Sequence, residues 1–393
     1  MKFVVAAYGS RGDVEPCVAA GQELLRRGHE VRLAVPPNML DLIESAGLAA
    51  VCYGPNSREV EGFRRDFSKI QNPITAVREV TEHITEVWAE KGTTLTSLAD
   101  GADLIVAGIT EQGLAANVAD HYGIPLAALH FFPLRILEFG WLDWRITKAA
   151  EHAHRRAIGL PEATEPSPRP LEIQAYDELC LPTMAAEWVE PNGRRPFVGA
   201  LTLELPTDAD DEVLSWIAAG TPPIFFGFGS MRITSPAHTV SMVGAACARL
   251  GERALICSES NDFTAVPHFD HVKVVRTASN AAVFSACRAI VHHGGAGTTA
   301  ASLRAGIPTL ILYAAWLDQP IWAAAIQQLK VGSARGFSET TEESLVTDLR
   351  SSLTPQCAAR AREVAAAMTK PAESAASAAD LLEDAVRRSI TAS

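Results

Sequence analysis

Four short stretches carry side chains that do chemistry, and in three of them glycines let a backbone approach a ligand. The first is Gly9-Ser10-Arg11-Gly12-Asp13, directly after an apolar run. Glycines at a strand-to-helix turn bring amides close to a ligand, and amides at a helix start attract anions. The spacing is not G-x-G-x-x-G, so a nicotinamide cofactor is not indicated. Asp13 has two uses there: a carboxylate at the ligand-binding end of a sheet, or a cap for a helix starting near Val14.

The second stretch runs Ile290-Val291-His292-His293-Gly294-Gly295-Ala296-Gly297-Thr298-Thr299. Successive amides at Gly295–Thr298, the Thr298 hydroxyl and a histidine make a compact diphosphate cradle. The histidine can give a hydrogen bond and, when protonated, a charge. No lysine follows the glycines as in a P-loop, so an ATPase signature is absent. The third stretch is Trp316-Leu317-Asp318-Gln319-Pro320, where a carboxylate and an amide suit neighbouring sugar hydroxyls, or simply cap a helix opened by Pro320. The fourth, Gly227-Phe228-Gly229-Ser230, is a further anion turn. The 11 histidines show no metal-ligand spacing, and no metal or other cofactor is expected.

These turns need strands and helices to hold them. Apolar runs at Lys2–Ala7, Glu30–Ala34, Ala49–Cys52, Asp103–Ala107 and Leu126–His130 alternate with helically spaced segments such as Val14–Leu25 and Thr75–Leu98. A second series begins at Pro223–Gly227 and continues at Arg253–Cys257, His271–Val275, Arg288–His292 and Pro308–Leu312. Two such series predict an α/β protein of two doubly wound, Rossmann-like domains. The expected organisation is an N-terminal domain over 1–198, a linker over 199–222 rich in Pro and Asp, a C-terminal domain over 223–371 and a terminal helix over 372–393.

Composition narrows the function classes. Of 393 residues 48% are hydrophobic and 20% charged, enough for two cores. A net charge of -12 disfavours nucleic acid as a partner, since its phosphates are held by arrays of Lys and Arg. The seven cysteines form no C-x-x-C pair and read as buried thiols in a reducing compartment. No apolar run approaches the roughly 18 residues that span a membrane. The first apolar run stops at Tyr8-Gly9-Ser10-Arg11, too early for a secretory signal. A cytoplasmic protein is expected, with peripheral contact at the inner face of the plasma membrane left open.

Taken in order, Gly9–Asp13, Gly227–Ser230 and the run His292–Thr299, Arg304-Ala305-Gly306-Ile307-Pro308, Asp318-Gln319 resemble the bacterial family 1 glycosyltransferases of the GT-B fold. The likeness covers the whole chain and is strongest to mycobacterial enzymes of the glycopeptidolipid type and to antibiotic glycosyltransferases. It implies two Rossmann-like domains facing a cleft and an inverting, metal-independent transfer of a hexose or deoxyhexose. The donor would be a dTDP or UDP sugar, and the acceptor a hydroxyl of an amphipathic or lipid-linked compound. By that resemblance Asp13 is the general base. Ser10, Ser230, His293, Gly294, Gly295, Ala296, Gly297 and Thr298 would hold the diphosphate, and Asp318 with Gln319 the donor sugar. Val275 and Arg276 would meet the nucleobase, although the loop Val275-Arg276-Thr277-Ala278-Ser279 lacks the plant Trp-x-Pro-Gln pattern. Counting eight residues from His293 to the plant ribose-binding Glu reaches Ala301 instead.

Candidate acceptor walls are Tyr53, Phe63, Phe67, Trp88, His130, Phe131, Phe132, Phe139, Trp141 and Trp144, any one of which is equally suited to an ordinary core. Two competing readings share the architecture: a sugar-nucleotide 2-epimerase and a non-catalytic nucleotide-sugar-binding protein. The oligomeric state is left open.

Overall fold

The computed structural model describes residues 1–60, 73–133, 141–161, 171–188, 195–259, 261–314 and 318–392. The chain forms two compact units, each built on a six-stranded sheet in which every pairing is parallel. The first sheet contains β1 (Lys2–Ala6), β2 (Glu30–Val35), β3 (Ala50–Cys52), β4 (Leu104–Ala107), β5 (Leu126–His130) and β6 (Leu171–Gln174). The second contains β7 (Ile224–Gly227), β8 (Ala254–Cys257), β9 (Val272–Val275), β10 (Ala289–His292), β11 (Thr309–Tyr313) and β12 (Gly332–Gly336). Ten of these strands fall on the expected apolar runs. The outermost strand on one side of each sheet, β6 and β12, does not.

Strand order is β3-β2-β1-β4-β5-β6 in one unit and β12-β11-β10-β7-β8-β9 in the other. In each, the first strand is followed by neighbours on one side, and the chain then returns to build the other side. The reversal falls between β1 and β4 and between β7 and β10. Connections diverge at such a point and leave a crevice at the carboxyl ends of the strands, where doubly wound sheets hold ligands. The sheet of the second unit is apolar on both faces. Phe226, Val291, Leu310 and Leu312 enter one core, while Phe225, Leu255 and Ile290 enter the other. That burial explains near-continuous apolar runs in place of alternation.

The units do not follow the expected boundaries. The first comprises Met1–Tyr176, Glu187–Leu203 and Pro371–Ser393, and the second Asp177–Ala186 and Glu204–Lys370. The segment expected to be a separate terminal helix is helix Pro371–Ala392, and it packs against helix Arg11–Arg26 of the first unit. Its buried positions Ser374, Ala378, Ala379, Leu382 and Val386 make one helical stripe. Charge locks the contact at its edge. Arg27 donates to Asp380 Oδ1 at 2.6 Å, to Glu383 Oε1 at 3.0 Å and to the Ala376 carbonyl at 3.0 Å. His29 Nε2 lies 3.0 Å from the same Glu383 oxygen. Hydrogen bonds from His29, then Arg27 and Arg387, hold the Glu383 carboxyl down to about 2 from its usual 4.5.

A carboxylate whose pKa falls on folding stabilises the fold above its unfolded pKa and loses that contribution as pH falls toward the folded value. Arg27→Ala should therefore cost about 1–2 kcal/mol at neutral pH, the worth of a shielded multi-bond guanidinium. The gap from wild type, read by denaturant melts, should shrink between about pH 4.5 and 2 as Glu383 protonates. A gap that does not change with pH would assign the effect to packing alone.

Candidate functional site

The crevice at the β1/β4 reversal is lined by the Gly9–Asp13 turn. Helix Arg11–Arg26 starts at Arg11 with Ser10 as its N-cap, not near Val14, so Asp13 lies inside the first turn. Its Oδ2 accepts from the Ser10 amide at 2.6 Å and the Ser10 hydroxyl at 2.7 Å, the reaching-back half of a capping box. The carboxylate thus sits in the first turn, at the positive end of the helix dipole. Gly9 makes room for it. Its φ is +138°, and a Cβ there would lie 2.4 Å from Asp13 Oδ2. The next loop is tied to the turn by Ser57, whose hydroxyl donates to the Gly9 carbonyl at 2.7 Å.

Beneath this turn is a buried ionic cluster that the sequence reading missed. Glu111, just past β4, is fully buried and receives Lys91 Nζ at 2.8 and 3.0 Å and the Tyr53 hydroxyl at 2.5 Å. Lys91 Nζ also lies 4.2 Å from the Tyr8 ring centroid, a cation–π contact in a dry setting. Thr110 bonds the Tyr8 carbonyl at 2.9 Å, joining the β4 loop to the residue before Gly9. Burial, followed by the Glu111 charge, pushes the Tyr53 hydroxyl well above its usual pKa. The one available signal was position: Glu111 closes the loop after β4, at the predicted end of the sheet.

In the second unit, the reversal between β7 and β10 brings the other two glycine turns together on His293. The turn after β7 closes with a bond from the Met231 amide to the Phe228 carbonyl at 2.9 Å, with Gly229 at φ +55°. A Cβ on Gly229 would lie 2.3 Å from His293 Cε1, and one on Gly295 would lie 2.6 Å from His293 Nε2. The imidazole is therefore packed against both glycines. Burial lowers its pKa to about 4, against a smaller opposing effect of the Gly227 carbonyl. At neutral pH and without ligand, His293 offers a hydrogen bond and no charge. Ser230 is exposed beside it. Asn261, also missed, holds this turn from behind: its Nδ2 donates to the Met231 carbonyl at 3.0 Å and its Oδ1 accepts the Ile233 amide at 2.8 Å.

Helix Ala296–Ala305 begins directly after Gly295, its N-cap. Thr299 supplies the first amide bonded back to the Gly295 carbonyl, at 2.9 Å, so the Ala296, Gly297 and Thr298 amides precede the intrahelical ladder. The Gly294 amide is not part of that group, because it donates to His292 Nδ1 at 3.0 Å. Asp318 and Gln319 open helix Gln319–Leu329. Asp318 Oδ2 accepts from Trp322 Nε1 at 2.8 Å, and Gln319 Oε1 accepts the Ala314 amide at 2.9 Å. Among the described residues, the Gln319 amide nitrogen is the group left to donate. Val275 and Arg276 line a cavity of about 390 Å³ together with Ser258, Glu259, Asn261 and Phe263, at the carboxyl ends of β8 and β9.

The aromatic candidates divide differently. Tyr53, Trp88, His130, Phe131 and Phe132 are all buried within the first unit, and Trp88 is part of its main core with Val80, Ile84 and Leu114. Phe131 and Phe132 pack edge to face on each other. Phe63, Phe67 and Phe139 lie outside the described residues, as do the side chains of Trp141 and Trp144. Among the described residues, no cluster of His, Cys, Asp and Glu could hold a metal ion, and no helix is long and apolar enough to cross a membrane.

Gly229→Ala should cost about 1–3 kcal/mol, since the added methyl meets both a left-handed backbone and the His293 ring. Gly297→Ala has nothing within 4 Å of its Cβ and should be neutral or gain up to about 1 kcal/mol of helix propensity. Melting temperatures of the two variants, moving in these separate directions, check the packing of the two turns.

Comparison with known proteins gives the geometry a family. Residues 3–102 match the glycosyltransferase family 28 N-terminal domain, and residues 242–383 match the erythromycin biosynthesis protein CIII-like C-terminal domain. An uncharacterized glycosyltransferase of Mycobacterium bovis is 59% identical over 416 aligned residues, covering 99% of this chain and 100% of that protein. Among solved structures, the spinosyn forosaminyltransferase SpnP aligns with a TM-score of 0.73 at 18% identity, covering 98% of this chain and 99% of its own. The glycosyltransferase VinC, crystallised in complex with dTDP, aligns with a TM-score of 0.65 at 16% identity over 100% of both chains. Full-length identity at this level, with a family domain on each half and the matching fold, places the chain among the bacterial family 1 glycosyltransferases of GT-B architecture.

Proposed function

We propose that this glycosyltransferase binds a dTDP or UDP sugar in its second unit and transfers the hexose or deoxyhexose, with inversion and without a metal, to a hydroxyl group. The observation that carries the reading is the meeting of two glycine turns on His293, beside three amides that precede a helical ladder. Amides that precede a helical ladder, with the His293 ring packed beside them, suit a pyrophosphate. The dTDP complex of VinC supports a nucleoside diphosphate as the ligand. Asp318 and the Gln319 amide suit the sugar hydroxyls, and Val275 and Arg276, on their cavity, suit the base.

In the proposed reaction an acceptor hydroxyl loses its proton to Asp13 as its oxygen bonds to the anomeric carbon. The bond from that carbon to the diphosphate oxygen breaks on the opposite side, and the cradle stabilises the departing charge. The acceptor is taken to be apolar or amphipathic, a cell-wall glycolipid or lipopeptide. The support for that class is the aromatic-rich sequence of the segment Phe131–Trp144.

Asp13→Asn tests the base. The amide oxygen can still accept from the Ser10 amide, so the melting temperature and dTDP affinity should stay near wild type. Turnover should fall on the order of 10²–10⁴-fold, the worth of a positioned base. Near-normal turnover would remove Asp13 from the chemistry and leave it a cap. Calorimetric binding of dTDP or UDP should be the same in EDTA as in Mg²⁺. Binding lost in EDTA and restored by Mg²⁺ would refute the metal-free cradle.

A further inference from the structure

His292 sits at the end of β10, 1% exposed, in a position where a histidine is costly. Among the described residues its Nε2 is buried with no hydrogen-bond partner, while its Nδ1 accepts the Gly294 amide at 3.0 Å. An accepting Nδ1 carries no proton, so the neutral ring keeps its proton on Nε2, and that N–H is left unsatisfied. An unsatisfied buried donor lowers stability, and an apolar residue of similar size would remove the cost. At this site, however, leucine would exchange one orphaned N–H, that of Nε2, for another, that of Gly294. The group that leucine lacks is the Nδ1 lone pair.

That lone pair acts two residues along the chain. Gly294 has φ +93°, and a Cβ there would lie 2.9 Å from Ile311 Cγ2, so the chain reverses tightly against β11. The bond to His292 fixes the Gly294 peptide at this reversal. Gly295 then enters as N-cap, and the Ala296–Thr298 amides follow from its orientation. We infer that His292 is a positioning residue: through its Nδ1 bond to the Gly294 amide it sets the turn that presents the three helix-start amides to a diphosphate. The ligand part of this role rests on the donor reading above, whereas the turn-setting part stands on the unliganded protein.

Two variants test it, with hydrogen–deuterium exchange of the 293–298 segment in the unliganded protein and calorimetric affinity for dTDP. His292→Leu removes the acceptor together with the orphaned N–H. It should keep a melting temperature near wild type, yet exchange faster across 293–298 and bind dTDP on the order of 10- to 100-fold more weakly, the usual effect of a misplaced site. His292→Asn restores an acceptor of similar reach in a smaller, polar side chain. It should melt lower than the leucine variant but regain slow exchange and most of the affinity. Stability and affinity would then move in opposite directions between the two variants, which a purely structural role does not produce. Wild-type exchange in His292→Leu, or exchange and affinity that simply follow melting temperature, would overturn the positioning role. Failure of the wild type to bind dTDP and UDP would instead count against the donor reading, and the exchange measurement would still decide the role of His292.

Discussion

A parallel sheet covered on both faces leaves a ligand only one way in, at the strand ends where the chain reverses direction. That constraint governs both units. Its strands spend their side chains on two cores, so chemistry has to be carried by the loops just past β1, β4, β7 and β10. The candidate base, the Glu111 carboxylate of the buried ion pair, Ser230 and His293 all follow one of those four strands, and Lys91 reaches Glu111 from helix Pro73–Ala99. The sugar and nucleobase candidates follow the neighbouring strands β11 and β9. The candidate site is thus an arrangement of loop starts on a frame whose own side chains go into its cores.

The frame meets the loops through close approach, and glycine is what permits it. At Gly9 the missing Cβ leaves space for a carboxylate, and at Gly229 and Gly295 for an imidazole. Each glycine-rich motif is thus shaped by one particular side chain as much as by a ligand. The Lys91–Glu111 pair is of another kind. Two charges withdrawn from water recover their desolvation cost only when every bond is made, and here the carboxylate accepts from Lys91 and Tyr53 together. Such a cluster is a weak source of stability but a strict one of geometry, because removing either charge strands the other.

Most of this was legible because both-face burial writes long apolar runs and ligand turns write glycines. Ten strands and the placing of three glycine-bearing turns at strand ends could be read on those grounds. The two strands that could not, β6 and β12, are edge strands with few apolar residues, β6 reading Leu171-Glu172-Ile173-Gln174. β12 reads Gly332-Ser333-Ala334-Arg335-Gly336 and is anchored by its ladder to β11 and a bidentate Arg335–Asp348 pair. The helix start at Arg11 was readable in principle, since Ser10 and Asp13 stand at capping-box spacing, but the apolar periodicity begins later and pointed to Val14. Glu111 and His292 were invisible for a deeper reason. Nothing local distinguishes a buried carboxylate from a surface one, and the value of His292 lies in which of its nitrogens faces the backbone. The unit boundaries failed because the chain returns to the first unit after finishing the second, which linear order cannot reveal.

That return has a consequence for how the protein is made. On the ribosome most of the first unit emerges early, but the helix that covers Arg11–Arg26 is translated only after the whole second unit. Roughly 190 residues separate Tyr176 from Pro371, which at about 5–20 residues per second is on the order of 10–40 s of synthesis. Throughout that interval the stripe that Ala378, Leu382 and Val386 will cover stays open to water and to other nascent chains. The early half of the molecule is thus born with an incomplete surface, and its closure waits until the second unit has been made.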